Sequence, residues 1–385
     1  MQNFVIRELN SDNLLQELIT IEFDNSYAPQ MTDKFKYKNY KIYGLNAAQA
    51  NILKQTALSV GADCATPKNT ITGKIENADC ILGGSISQLQ KIASKLNQQP
   101  FALKRLGYEL EQLAFYNSRN KTQIMGILNI TENSFSDGGK YLNYKDCITH
   151  LNKLIEEGAD IIDIGAESTK PYSTPIPGYI QLERIIPVLE YINKNNISIP
   201  ISIDTRNATV AQKCIDMGAS MINDVSGLSF DEEMVDVVAK NNCKIVIQHS
   251  KGIPENMQNN PIYNNLMDEI FVTLKNKIDF ATSNGINIKN IIIDPGIGFG
   301  KTKDDNYEIL RRFDELKPLK CPILLGISRK SMLDMPQENN PTKDIYSLAL
   351  STIAIEKNID IIRVHNVKLH KRLINMLQVD MDEKL

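Results

Sequence analysis

Eight short apolar runs in this chain end in polar groups able to do chemistry. "QIMGILNI" (123–130) carries Asn129, "DIIDIG" (160–165) carries Asp163, and "ISID" (201–204) ends in Asp204. "SMIND" (220–224) ends in Asn223 and Asp224, and "KIVIQH" (244–249) in Gln248 and His249. "IIIDPG" (291–296) holds Asp294, "PILLGIS" (322–328) runs into Ser328, Arg329 and Lys330, and "IDIIRVH" (359–365) ends in Arg363 and His365. A single Asp or Asn at such a place is normally a helix cap. Asp224 and Asp304 are assigned to caps or turns, and His249 to backbone groups. Polar ends on every run ask for more than capping. Asp204, Asn223, Asp294 and Lys330 offer acceptors and donors suited to a planar, amide-rich heterocycle. Arg363, His365 and Asn129 suit an anion. A Mg²⁺ ion fits there too, because it takes few protein ligands and keeps water and phosphate oxygens around it.

The elements between these runs must bring their ends together. Amphipathic segments intervene near 145–157, 179–195, 207–217, 231–240, 264–284, 304–316 and 343–357, and after Val367. Continuous apolar runs read as strands buried on both faces, and a βα rhythm implies parallel strands with helical crossovers. This predicts an α/β fold, a (β/α)8 TIM barrel over 121–385, with a doubly wound open sheet as the alternative. In a barrel the C-terminal strand ends share one face. Residues 1–120 read as a small α/β module: a helix at 51–61, a strand and turn at 78–84, a helix at 85–96, and 101–115 leading onward. Ile86, Leu89, Ile92, Ala93 and Leu96 share one helical face. The "LGGS" turn is read as a plain βα turn.

The composition narrows the function. The 385 residues suggest two domains, and a net charge of −3 with no Trp offers nucleic acid neither attraction nor stacking platform. The six cysteines are scattered, with no Cys-x-x-Cys pair, which suggests free thiols in a reducing, cytoplasmic setting. No stretch suits a bilayer or a signal peptide, so no membrane partner is expected. A Gly-x-Ser-x-Gly elbow is absent. "PGIGFGKT" (295–302) fails the phosphate-loop pattern at Pro295 and the dinucleotide pattern at Lys301. Its glycines are read as letting backbone approach a flat ligand.

Seven segments together resemble dihydropteroate synthase, over about residues 121–377: "MGILNITENSFSDGG", "GADIIDIGAEST", "SIDT", "INDVSG", "IIDPGIGFGK", "GISRKS" and "IIRVH". The resemblance implies condensation of 6-hydroxymethyl-7,8-dihydropterin diphosphate with p-aminobenzoate, giving 7,8-dihydropteroate and diphosphate. It implies that Asp204, Asn223, Asp294 and Lys330 hold the pterin, with Phe299 flanking the ring and Thr169 beside the reacting group. Asn129 would be the Mg²⁺ ligand, and Arg363 and His365 would hold the diphosphate. Ser328 and Phe135 would help form the p-aminobenzoate pocket. Asp204, Lys330 and Asn129 would carry the chemistry, in a homodimer. Departures from the family pattern are Glu132-Asn133, Lys170 where Arg is usual, "QHSKG", "GAES", and Asn366 where Asp is commoner. A pterin-binding methyltransferase using methyltetrahydrofolate and a non-catalytic pterin-binding scaffold are the alternatives. Arg329 is expected to meet an acidic group on a neighbouring loop, leaving Lys330 for the ligand.

Overall fold

Eight parallel strands form one sheet in the C-terminal part of this computed structural model. They follow three strands nearer the N-terminus, β1 (Tyr37–Leu45), β2 (Asp63–Ala65) and β3 (Ala78–Ser85). The eight are β4 (Gln123–Asn129), β5 (Ile161–Gly165), β6 (Ile201–Asp204), β7 (Met221–Asp224), β8 (Lys244–Gln248), β9 (Ile291–Asp294), β10 (Leu324–Leu325) and β11 (Ile361–Val364). The structure describes residues 6–9, 13–115, 121–130, 139–167, 175–252, 261–330, 332 and 339–378, of which 114–115 and 139–143 as backbone only. The order β10-β11-β4-β5-β6-β7-β8-β9 closes through a parallel bridge between Ile293 and Ile323. The Ile293 amide donates to the Pro322 carbonyl there, at 2.9 Å. The open-sheet alternative is thereby excluded.

Strand side chains alternate between faces, and this sequence uses the alternation fully. Met125, Ile161, Met221, Val246, Ile292, Leu324 and Ile361 form one buried apolar cluster, one residue from each of seven strands. Residues of the opposite parity, such as Ile124, Ile162, Ile203, Ile222, Ile245, Ile293, Leu325 and Ile362, join the large core shared with the helices. Two residues beyond the inner apolar layer, the same face carries Asp163, Asn223, Gln248, Asp294 and Arg363. Strand β6 supplies Ser202 and Asp204. The barrel therefore has an apolar plug below a polar floor. At the opposite rim, the carboxylates of Asp160 and Asp360 accept the Ile124 and Ile323 amides at 2.8 Å, tying strand starts together.

Crossover helices run Gly139–Glu156, Gly178–Lys194, Ala208–Asp216, Met234–Lys240, Leu266–Ser283, Lys303–Arg312, Asn340–Glu356 and Val367–Leu377. The first begins six residues earlier than its sequence pattern suggests. Asn207, Asn265, Thr302, Asn339 and Asn366 cap five of them by accepting a backbone amide, the role that suits these side chains.

The chain divides into two compact units, Met1–Asn117 and Ser118–Leu385. In the first, β1 and β2 each pair antiparallel with β3. Helices Ala47–Leu58 and Ile86–Leu96 open with capping boxes at Asn46/Gln49 and Ser85/Gln88. Ile86, Leu89, Ile92, Ala93 and Leu96 are all buried. The sequence reading missed β1. It also took "LGG" for a turn, whereas these residues complete β3. A Cβ on Gly83 would lie 2.6 Å from the Tyr37 hydroxyl and the Asn39 side-chain oxygen, so this glycine serves packing. Among the described residues no helix is long and apolar enough to cross a membrane.

Candidate active site

The floor of the barrel mouth is an ion-pair network. Asp163, fully buried on β5, accepts from Ser202 Oγ at 2.6 Å, Asn223 Nδ2 at 3.1 Å and Arg363 Nε at 2.6 Å. Arg363 Nη2 reaches Asp204 Oδ2 at 2.7 Å. The other Asp204 oxygen is buried and has no hydrogen-bond partner among the described residues, so it is a ready acceptor for a ligand N–H. Burial pushes the Asp204 carboxyl up to about 7; Arg363 opposes the shift and Asp163 adds to it. Burial works against the Arg363 charge, but Asp163 and Asp204 outweigh it and hold the guanidinium above its usual range. Sequence reasoning assigned no role to Asp163. Strand parity was the available signal: it stands two residues after Ile161 on the inward face.

Asp294 and Lys330 form a second group. Asp294 Oδ1 accepts the Gly296 amide at 2.7 Å. Burial raises its carboxyl, and the Lys330 charge opposes that rise. Lys330 Nζ donates to the Ile297 carbonyl and lies 4.7 Å from the Phe299 ring centroid, a cation–π distance. Burial brings its ammonium down to about 8, against the pull of Asp294. The pterin assignments Asp294, Phe299 and Lys330 therefore meet in space.

The glycines of "PGIGFGK" need another explanation than ligand approach. Gly296 and Gly300 have φ of +74° and +63°, and a Cβ would fall 1.9 Å from the His249 carbonyl oxygen and 2.2 Å from that of Lys251. They let the loop after β9 pack on the loop after β8. Lys301, also overlooked as a contributor, pins that contact: its buried Nζ donates to the Phe299 carbonyl at 3.0 Å and lies 3.0 Å from His249 Nδ1. Burial lowers Lys301 to about 7 and His249 to about 2, so the histidine is neutral.

At the rim, Ser328 Oγ accepts the His365 backbone N–H at 3.2 Å and lies 3.0 Å from His365 Nδ1. Burial, then Arg329 and Arg363, bring this imidazole down to about 3. It is thus neutral. The Ser328 side chain therefore contacts His365 at the rim. Asn129 is exposed. A Cβ on Gly165 would meet Asn129 Oδ1 at 3.5 Å and Asp204 Oδ2 at 3.6 Å, so the two side chains flank the same glycine. Thr169, Phe135, Lys170 and Glu132-Asn133 lie outside the described residues. Asp224 makes a turn, accepting from Ser226 and Leu228 amides at 2.9 and 2.7 Å.

Arg329 and Lys330 part company. Arg329 Nε and Nη2 grip Asp344 Oδ1 and Oδ2 at 2.6 and 2.8 Å. The acidic partner expected for it exists, on a helix rather than a loop. Asn366 caps the last helix and donates to Asp344 at 3.1 Å, a donor role that Asp could not fill.

A metal would find one neutral amide oxygen at the rim. Among the described residues no three His, Cys, Asp or Glu side chains cluster to hold one. This donor set fits hydrated Mg²⁺ sharing a substrate's phosphate oxygens, not a zinc cage.

Residues 125–365 match the family model described as "Pterin binding enzyme". A dihydropteroate synthase of Clostridium beijerinckii is 40% identical over 69% of this chain and 96% of its own length. A Helicobacter pylori protein, "Bifunctional dihydropteroate synthase/dihydropteroate reductase", is 31% identical over 97% of this chain and 98% of its own. The chain spans 42% of a longer Haloferax volcanii relative, a probable bifunctional folylpolyglutamate synthase/dihydropteroate synthase, at 32% identity. A Clostridium difficile dihydropteroate synthase solved in the presence of pteroic acid superposes with a TM-score of 0.64. It is 37% identical and is covered over its whole length by 70% of this chain.

Proposed function

We infer, for a chain that belongs to the pterin-binding enzymes and within them to the dihydropteroate synthases, that it joins 6-hydroxymethyl-7,8-dihydropterin diphosphate to p-aminobenzoate. The observation that carries this reading is the pairing of two buried acid–base groups at one barrel mouth. Asp204 brings an unpartnered oxygen, and Asp294 stands with the Lys330 ammonium and the Phe299 ring. A flat heterocycle with N–H groups on one edge and acceptors on another satisfies both.

The reaction forms a C–N bond from the arylamine to the pterin methylene and breaks the C–O bond to diphosphate, and the amine then loses a proton to solvent. An arylamine is already neutral near pH 7, so no strong base is needed; the leaving group is the difficulty. Asp204 and Asp163 place negative charge beneath the reacting carbon as positive charge develops there. His365 would offer an uncharged imidazole N–H to a phosphate oxygen. Arg363, held by both carboxylates, shares its charge between floor and leaving group. Asn129 would hold Mg²⁺, which would supply positive charge at the diphosphate. A cytoplasmic homodimer is part of this reading.

The test mixes the purified chain with Mg²⁺, pterin diphosphate and p-aminobenzoate. Diphosphate release that requires p-aminobenzoate supports the synthase; release indifferent to it defeats the reading. Asn129→Ala is expected to raise the Mg²⁺ needed for half-maximal rate about 10-fold, and an unchanged requirement contradicts the metal assignment.

The relative aligned over 97% of the chain, and so over most of residues 1–120, carries a reductase in its name. A second reading is therefore that the chain also reduces dihydropteroate. Formation of tetrahydropteroate from 7,8-dihydropteroate and a reduced nicotinamide, with or without reduced flavin, tests it; no product under either condition removes it.

A further inference from the structure

We propose that Asp344, which lies on helix Asn340–Glu356, is a positioning residue that sets the register of Lys330 and His365. The proposal rests on the synthase reading above and concerns a residue to which that reading gives no part.

The turn Ile327–Lys330 is closed by the Lys330 amide donating to the Ile327 carbonyl at 3.3 Å. Its third residue, Arg329, has φ of +58°. That position with positive φ is the one a turn ordinarily gives to Gly or Asn. A side chain with a long stem persists there only when its surroundings hold it. The surroundings are two anchors one helical turn apart on a single helix. Ser347, fully buried, accepts the Arg329 amide on Oγ at 3.0 Å and donates its hydroxyl to the Lys343 carbonyl at 2.7 Å. Asp344, 4% exposed, takes the guanidinium with both oxygens. Burial alone would raise the Asp344 carboxyl; hydrogen bonds from Arg329 and Asn366 outweigh it and hold it below its usual range.

The residues on either side of Arg329 are the ones that matter. Ser328 bonds His365, and Lys330 reaches Ile297 and Phe299. If Arg329 relaxes to negative φ, the flanking peptides rotate, and both contacts are lost together. Asp344 also takes Asn366, the residue after His365. One carboxylate therefore ties the loop bearing Lys330 to the loop bearing His365, touching neither.

Asp344→Asn tests this, read by pterin diphosphate binding without p-aminobenzoate, by KM and kcat, and by thermal melting. The expected result is a Kd raised about 10-fold at a kcat within about threefold of wild type. Arg329→Gly accepts positive φ unaided, so its Kd is expected within about threefold of wild type, and adding Asp344→Asn to it should change little. If Asp344→Asn does not fold, Arg329→Lys, which keeps charge and loses the two-pronged grip, is expected to weaken binding measurably at an unchanged melting point. A lowered melting point with unchanged Kd in Asp344→Asn, or losses that multiply in the double variant, overturns the proposal, as does wild-type affinity in Arg329→Lys. Failure of the wild type to turn over would defeat the synthase reading instead.

Discussion

The Arg363 guanidinium lies 2.7 Å from the Asp204 carboxylate. The residue assigned to the leaving group is thus already bound to a residue assigned to the heterocycle. Its second partner, Asp163, is 2.6 Å away and fully buried. The site is one electrostatic unit, and substitutions in it are expected to act on more than one ligand.

Arg363→Ala should show this. It leaves two buried carboxylates without their cation, a loss of about 3–5 kcal/mol when one partner of a buried pair is removed. Urea unfolding is expected to report that loss. Affinity for the pterin should fall with and without its diphosphate. A loss confined to the diphosphate ester, which sequence alone suggested, would mean that the pairing has no energetic weight.

Lys330→Ala should weaken pterin binding by at least about 10-fold, far beyond the effect of an exposed lysine. The wild-type ammonium titrates at about 8. It is charged below that pH and lost above it, so pterin affinity should decline from pH 8 upward. Fluorescence titration of pterin binding from pH 7 to 9.5 measures the decline, and Lys330→Arg should abolish it.

His249 and His365, with the fully buried His370 also shifted downward by burial, contribute to the acid limit. Unfolded His titrates near ~6.5, whereas His249 and His365 in the fold titrate at about 2 and about 3. Between those limits the unfolded chain binds more protons. Stability is therefore complete above the unfolded value and falls with falling pH, by up to about 1.4 kcal/mol per unit for each histidine. Asp204, raised to about 7, acts in the opposite direction above the ordinary carboxyl range. Comparing urea midpoints of wild type and His249→Asn at pH 7 and 5 isolates the histidine. An equal slope in both would contradict a buried, neutral His249.

Gly296→Ala should destabilise by about 2–4 kcal/mol, from positive φ and a Cβ driven into backbone. The obstacle is the His249 carbonyl at 1.9 Å, which has little freedom to retreat. A melting temperature near wild type would show that the loops after β8 and β9 are not locked together.

Much of this was open to sequence reasoning. The β-branched runs announced the strands because parallel barrel strands are apolar on both faces. The polar residues at their ends announced the site because only there does the inward face reach solvent. Asp163 was noted as a strand-end group but given no role, because its run otherwise reads as core. The partnership of Ser328 with His365 could not be seen, since it depends on which way a turn leaves β10. Strand β1 was missed because "YKNYKIYGL" is polar and aromatic, with only Ile42 and Leu45 buried. The roles of Gly296 and Gly300 were misread for want of the neighbouring loop: a glycine pattern shows that something comes close, not what.

Strand β10 has only two residues, matched to β11 at Leu324–Ile361 and Leu325–Ile362 and to β9 by a single bridge. It is the shortest seam in the hoop, and Lys330 hangs just beyond it. Amides here should exchange with solvent before those of β5 or β8, as few bonds must break to free them. A heterocycle held between Lys330 on one side of the seam and Asp294 on the other would act as a clasp across it. Substrate occupancy would thereby also be a mechanical event, and its clearest trace would be slowed exchange at Ile323 to Ile327 rather than at the deeper strands.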